Sequence, residues 1–148
     1  ALLRFKVGSR CLTLGSKKQV HSTSTCEPTD PKQQWQMFPS GNAYGFRNLS
    51  TGECLSQSGV LAGPWTVVTA PCDGTDKQRW KLEAYNQGGT DAKYPLRMHN
   101  AAENFCIYTD LTGLVYGTAL NCDLAGTESN RKVGVYLGGA FEKAPFVP

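Results

Sequence analysis

The chain has 148 residues, of which 40% are hydrophobic and 18% are charged, and its formal net charge is +3. This length predicts a single domain with a substantial buried core. The few basic residues are scattered and no apolar run approaches the roughly 18 residues of a membrane-spanning helix, so we expect neither a nucleic-acid partner nor a membrane span.

The first elements in chain order are a Cys-Leu segment, a second cysteine and a Gln-x-Trp triplet. The segment reads RCLTL (Arg10–Leu14) and the second cysteine is Cys26. Gln33 and Trp35 form the ends of the triplet. A cysteine pair followed by a polar-aromatic triplet is a pattern that can be searched for elsewhere in the chain.

The next stretch repeats this order. It contains ECLSQ (Glu53–Gln57), then Cys72, and then a second triplet that begins at Gln78 and ends at Trp80. Trp35 and Trp80 lie 45 residues apart. A period of roughly 20–50 residues is the sequence signature of a repeat architecture.

The third stretch keeps the cysteines and lacks the triplet. FCIYT (Phe105–Thr109) is followed by Cys122, and Arg131-Lys132-Val133 stands where Gln-x-Trp is expected. Short apolar runs separated by Gly and Pro predict four short strands per unit, about twelve in all. The prediction is one all-β domain spanning 1–148, with units at about 1–44, 45–92 and 93–139 and a tail at 140–148.

The six cysteines predict three disulfides, one within each unit. Neighbouring cysteines are at least 15 residues apart, which excludes the closely spaced clusters of structural zinc sites, so we expect no metal. If the three units share one structure, each closes its own bridge: Cys11–Cys26, Cys54–Cys72 and Cys106–Cys122. Disulfides persist in oxidising compartments, so we expect a secreted or extracellular protein.

The recurring triplets are interpreted as structural. A unit of four short strands cannot bury its own apolar face, whereas three units around a pseudo-threefold axis can share one core. Trp35 and Trp80 would fill that core. Their indole N–H groups need partners, as do the neighbouring amides of Gln33 and Gln78, which we predict to be structural clamps.

Matched cysteine pairs and two Gln-x-Trp triplets at this period resemble the ricin B-type β-trefoil lectin family. The resemblance covers the whole chain. It implies a β-trefoil without catalytic activity or cofactor, which binds glycans through shallow pockets. Such modules occur as binding subunits of secreted toxins, as plant lectins and as accessory domains of glycosidases and glycosyltransferases.

The residues of the family's galactose pocket do not appear at the matching positions. Members that bind galactose have a carboxylate two residues after the first cysteine of a unit, an aromatic residue two before the second cysteine, and an asparagine before the triplet. Here these positions hold Thr13, Ser56 and Tyr108; Ser24, Ala70 and Leu120; and Lys32, Lys77 and Asn130. Only Asn130 fits, so simple galactose binding is not expected.

Two interpretations remain open, and in the first the chain binds a cell-surface glycan, on a glycoprotein or glycolipid, through other residues. The candidates are Trp65, Tyr108, Asn130 and Arg131. A tryptophan beside turn residues can stack on a sugar, and Arg131 can pair with an acidic sugar such as sialate. Alternatively, Trp65 packs on a neighbouring unit, Tyr108 packs on its own strand and Arg131 is a solvated charge.

In the second interpretation the chain is a protein-interaction subunit that binds no sugar. Degraded trefoils of this kind resemble the paired A and C binding subunits of cytolethal distending toxins, which flank a catalytic partner. A catalytic toxin subunit or a companion trefoil would then be the partner. The apolar tail 140–148 is the candidate docking segment, unless it packs on its own domain.

Catalysis is not expected from the sequence. His21 and His99 are the only histidines, and nothing in their spacing indicates a nucleophile and base in contact. Asn48-Leu49-Ser50 matches a glycosylation acceptor, which has meaning only for a eukaryotic source.

Overall fold

The computed structural model describes residues 2–7, 10–27, 29–58, 65–84, 96–102, 106–109, 115–118 and 133–137. These residues contain twelve β-strands and three short 3₁₀ helices. No helix among them is long and apolar enough to cross a membrane. The tail 140–148 lies outside the described residues.

The strands fall into three groups of four along the chain. The first group is β1 (Leu2–Val7), β2 (Arg10–Leu14), β3 (Val20–Thr23) and β4 (Trp35–Ser40). The second is β5 (Ala43–Asn48), β6 (Cys54–Gln57), β7 (Trp65–Ala70) and β8 (Trp80–Ala84). The third is β9 (Leu96–Asn100), β10 (Cys106–Thr109), β11 (Val115–Thr118) and β12 (Val133–Leu137). The 3₁₀ helices are η1 (Ser16–Lys18), η2 (Pro31–Gln33) and η3 (Asp76–Gln78).

The first and fourth strands of the groups form a closed barrel. Antiparallel pairing runs from β1 to β4, β5, β8, β9 and β12 in turn. The ring closes where β12 pairs with β1, from Leu3 opposite Leu137 to Val7 opposite Val133. Among the described strands, closure pairs both sides of every barrel strand, which removes the open barrel edge that could recruit another strand.

The second and third strands form three hairpins beside the barrel. They are β2–β3, β6–β7 and β10–β11. The second and third hairpins pair with each other through β7 and β11, with Thr66 opposite Tyr116. Gln19 and Val68 form an isolated bridge that joins the first hairpin to the second. A six-stranded barrel with three joined hairpins is the β-trefoil that the sequence predicted.

The core is built from equivalent positions of the three units. The residue after the first cysteine is buried in every unit, as Leu12, Leu55 and Ile107. The third strands contribute three valines, which are also buried: Val20, Val67 and Val115. Trp35, Trp80, Phe46 and Met98 complete the centre, each 0% exposed. Burying one such large side chain stabilises the fold by about 1.5–3 kcal/mol.

Two of the predicted disulfides are confirmed. Cys11–Cys26 and Cys54–Cys72 each join a second strand to the segment before a triplet, with Cα atoms 5.7 and 5.1 Å apart. Cys106 is also disulfide-bonded. Its predicted partner, Cys122, lies outside the described residues.

Candidate functional site

The first triplet holds the backbone around Cys26. The carboxylate of Asp30 accepts the Lys32 backbone N–H at 2.9 Å, which starts η2. Gln33 is 4% exposed, and its Oε1 accepts the Glu27 N–H at 2.8 Å. Its Nε2 donates to the Thr25 carbonyl at 3.2 Å. One amide therefore bonds the residues on both sides of the cysteine.

The second triplet repeats this geometry around Cys72. The Oε1 of Gln78 accepts the Asp73 N–H at 2.9 Å, and its Nε2 donates to the Pro71 carbonyl at 2.8 Å. The Asp73 carboxylate accepts both the backbone N–H and the hydroxyl of Thr75, at 3.0 and 2.7 Å. These bonds, the backbone one first, hold the pKa of Asp73 below its ordinary value of 3.8 because they favour the charged form.

Both tryptophans donate into the hairpin of their own unit. Trp35 Nε1 donates to the Leu12 carbonyl at 3.4 Å, and Trp80 Nε1 donates to the Leu55 carbonyl at 3.1 Å. Both side chains are fully buried. The indoles and the glutamine amides are therefore occupied within the scaffold and present no surface to a ligand.

Two asparagines, whose structural role the sequence analysis missed, extend this hydrogen-bond network into the next unit. Asn48 Nδ2 donates to the Lys32 carbonyl at 2.9 Å, and its Oδ1 accepts the N–H and hydroxyl of Ser50. Asn100 Nδ2 donates to the Lys77 carbonyl at 2.9 Å. The signal was available, since each asparagine stands six residues before the first cysteine of its unit.

The same contacts bury Asn48, the asparagine of the glycosylation motif Asn48-Leu49-Ser50. Asn48 is 0% exposed, and its amide nitrogen is the donor to Lys32. Attaching a glycan to that nitrogen would require the loss of a buried hydrogen bond and room that the packed junction does not offer. The folded domain therefore does not present Asn48 for glycosylation.

The positions matching the galactose pocket can be inspected in two units. In the first, Thr13 is half-buried while Ser24 and Lys32 are exposed. In the second, Ser56 is 5% exposed and its hydroxyl donates to the Gln57 carbonyl at 3.1 Å. Ala70 is half-buried and Lys77 is exposed. In the third unit, Leu120 and Asn130 lie outside the described residues.

Backbone pairing places two of the candidate glycan-binding residues on neighbouring strands. Tyr108 in β10 lies opposite Tyr116 in β11. Tyr116 lies opposite Thr66 in β7, and Trp65 lies opposite Gly117. The backbones of Trp65 and Tyr108 are thus separated by a single strand. Asn130 and Arg131 lie outside the described residues.

The histidines belong to separate strands. His21 in β3 lies opposite Thr13, and His99 in β9 lies opposite Lys81. In the part of the chain that the structure describes, no group of three His, Cys, Asp or Glu side chains could hold a metal ion.

A sequence profile of the ricin-type β-trefoil lectin domain matches residues 2–80, just over half of the chain. The match includes both cysteine pairs and both triplets of the first two units. The chain belongs to the ricin-type β-trefoil lectin family. No curated protein matches the sequence significantly.

Solved structures share the fold at low sequence identity. The Macrolepiota procera ricin B-like lectin, in complex with lactose, is 14% identical with a TM-score of 0.70, over 91% of this chain and 94% of that one. The Polyporus squamosus lectin bound to Neu5Acα2-6Galβ1-4GlcNAc is 16% identical with a TM-score of 0.71, over 93% of this chain and 49% of that one. The Haemophilus ducreyi cytolethal distending toxin is 16% identical with a TM-score of 0.69, over 99% of this chain and 88% of that one.

Proposed function

We propose that this lectin-family domain binds a cell-surface glycan through residues other than the usual galactose pocket. The observation that carries the proposal is the match of residues 2–80 to the ricin-type β-trefoil lectin domain. Trp65 lies opposite Gly117 whereas Tyr108 lies opposite Tyr116, so the register puts the two residues on opposite faces of the sheet. We therefore propose them as two separate contacts for the apolar side of a sugar ring. We include Asn130 and Arg131 of the third unit in this site.

The usual pocket is not proposed as the site in the first two units. Neither Thr13 nor Ser56 can replace a carboxylate, because a hydroxyl is a weaker acceptor for sugar hydroxyls than an ionised group. The Ser56 hydroxyl is also buried and bonded to its own strand. Lys32 and Lys77 stand where the family has an asparagine, and their exposed ammonium groups donate but do not accept hydrogen bonds.

The proposed biological role is cell attachment by a secreted, non-catalytic domain, in a toxin or a similar secreted protein. Support comes from the two disulfides, which persist in oxidising compartments, and from family membership.

Glycan-array binding tests this proposal. We expect the unaltered domain to bind a subset of glycans, and the Trp65→Ala variant and the Tyr108→Ala, Arg131→Ala pair to lose that binding. Leu49→Ala is the control, since it also removes an exposed apolar side chain (48% exposed) but in the turn after β5. Array binding that survives both site variants would refute the site.

The alternative role is a protein-interaction subunit, which the apolar composition of the tail 140–148 favours. Its partner would be a catalytic toxin subunit or a companion trefoil. A blank array, together with stable co-purification of another subunit that is lost on truncation at Gly139, would support this role over glycan binding.

A further inference from the structure

A cleft lies at the turn that joins the first unit to the second. It has a volume of about 570 Å³ and is bordered by the β4–β5 turn and the start of β8. This volume falls within the range of roughly 300–1,000 Å³ that is typical of small-ligand sites. The cleft residues share no strand with Trp65 in β7 or Tyr108 in β10.

The turn that borders the cleft is held by one arginine. Arg79 Nε donates to the Ser40 carbonyl at 3.0 Å, and its Nη2 donates to Asn42 Oδ1 at 2.8 Å. Its Nη1 donates to the Asp76 carboxylate at 2.6 Å. Gly41 has φ +62°, and a Cβ there would come 2.5 Å from Arg79 Nη2. The guanidinium therefore packs directly on the turn and fixes its shape.

This arrangement orients the Asn42 amide. Its oxygen is taken by Arg79, so the group left for a ligand is the Nδ2 donor. The side chain is exposed and borders the cleft. A donor that is already positioned by the protein loses little conformational entropy when a ligand binds.

The remaining lining combines apolar surface with a cation. Ala43 and Leu82 are buried, at 2% and 9% exposed, and contribute apolar surface to the cleft. Tyr44 is half-buried and packs against the core. Lys81 is exposed, and neither ion pair of the described residues includes it. No lining residue is acidic.

We propose that this cleft is a second saccharide-binding site, selective for saccharides that carry an anionic group. Lys81 and the Asn42 Nδ2 group supply donors for a carboxylate or sulfate, while Tyr44 and Leu82 contact the apolar side of the ring. The inference rests on the proposed function for the class of ligand, a saccharide, and is independent of the Trp65 site.

The test is calorimetric titration with lactose, sialyllactose and sulfated lactose. The unaltered chain and the Lys81→Gln variant are each titrated with all three sugars. We expect this substitution to weaken binding of the anionic sugars by about two- to fivefold at low salt, as for loss of one exposed charge contact. Lys81→Arg should restore binding. Lys17→Gln, an exposed lysine on η1, is the charge-matched control.

The outcomes separate this site from the Trp65 site. A loss with Lys81→Gln that persists in a Trp65→Ala background supports the cleft, and selective loss for sialyllactose or for sulfated lactose identifies the anionic group. Equal losses with Lys81→Gln and Lys17→Gln would overturn the inference, as would binding that only Trp65→Ala abolishes. In the last case the proposed function stands without a second site. No binding of any of the three sugars also overturns the inference, whereas the glycan array alone decides the proposed function.

Discussion

The junctions between the units are built in two different ways. Where β4 meets β5 and where β8 meets β9, an asparagine of the next unit donates a hydrogen bond to the carbonyl of the residue before a Gln-x-Trp triplet. Where β12 meets β1, the strands form a ladder of five opposed residue pairs, as β4–β5 and β8–β9 also pair in ladders. The sequence at this closure has no Gln-x-Trp triplet, and the position that matches Asn48 and Asn100 does not hold an asparagine.

The two features occur together for a physical reason. Asn48 and Asn100 stand six residues before Cys54 and Cys106, and the matching position before Cys11 is Phe5. The asparagine amide binds the carbonyl of the residue before the triplet's glutamine. A buried amide left without an acceptor costs about 1–3 kcal/mol, so we expect an asparagine at this position only where a triplet follows the accepting carbonyl.

The comparison also distinguishes the residues that stabilise the fold from the residues proposed to bind a glycan. The first two units follow the repeat closely, and their triplet residues are used in the core and the clamps. The third unit departs from the repeat, and three of the four proposed glycan-binding residues belong to it: Tyr108, Asn130 and Arg131. Departures from a consistent structural pattern are expected where a site is under functional demand.

The largest expected loss of stability is that of Trp80→Ala. It is compared with Val133→Ala, because Val133 stands in the third unit where the other units have the tryptophan of the triplet. Trp80→Ala should lower the free energy of unfolding by about 3–5 kcal/mol, because it leaves a cavity in the core. Val133→Ala removes two methyl groups and should cost at most about 2 kcal/mol. Urea unfolding measures both. Equal losses of unfolding free energy in the two variants would contradict the difference between the triplet junctions and the β12–β1 closure.

Removing a disulfide should have the next largest effect. The paired substitution Cys54→Ser, Cys72→Ser opens a loop with a sequence separation of 18, and the chain-entropy treatment gives a loss of about 3 kcal/mol. The segment that Gln78 clamps should then lose its protection from hydrogen exchange. If exchange there stays as slow as in the unaltered protein, the glutamine clamp holds without the disulfide.

Removing Asn100, which bonds to the residue before the second triplet, should lower the free energy of unfolding by a smaller amount. Asn100→Ala removes the donor to the Lys77 carbonyl and the acceptor for the Ala102 N–H, at 2.9 and 3.0 Å, and should cost about 1–3 kcal/mol. Gln36→Ala, an exposed position in β4, is the control and should be near neutral. Thermal unfolding can compare the two. Similar shifts in Tm would show that the clamp adds nothing to stability.

The smallest effect is a pH dependence at Asp73. Its folded pKa lies below the ordinary value of 3.8, so the carboxylate stabilises the fold above that pH. This contribution is lost as the pH falls through the folded pKa. Asp73→Asn should therefore lower Tm slightly near neutrality and leave it unchanged below the folded pKa, which flattens the decline of Tm at acidic pH. An unchanged acid decline would contradict the role of the Thr75 bonds.

The fold was predictable because the repeat is visible in residue identity. Cysteine spacing and the two Gln-x-Trp triplets fix the unit length, and the burial of Trp35 and Trp80 follows from the need for one shared core. The asparagine clamps were harder to find, because Trp35 and Asn48 are 13 residues apart but Trp80 and Asn100 are 20 apart. Their constant spacing is to the first cysteine of their own unit, whereas the triplet beside which they bond belongs to the preceding unit.

The cleft beside Lys81 could not have been predicted from the sequence. It depends on how Arg79 packs against the turn at Gly41, and these residues are 38 positions apart in the chain. Residue types alone give no reason to bring them together. Similarly, only strand pairing shows that Trp65 and Tyr108 are one strand apart.

The three tryptophans of the chain provide the most direct test of the proposed division between scaffold and site. Their indole N–H groups give separate peaks in a heteronuclear NMR spectrum, and a Trp65→Phe variant assigns one of them. On titration with a glycan selected from the array, we predict that the Trp65 peak shifts while the Trp35 and Trp80 peaks stay in place. A stationary Trp65 peak, or a shift of the two buried indoles alone, would contradict the account.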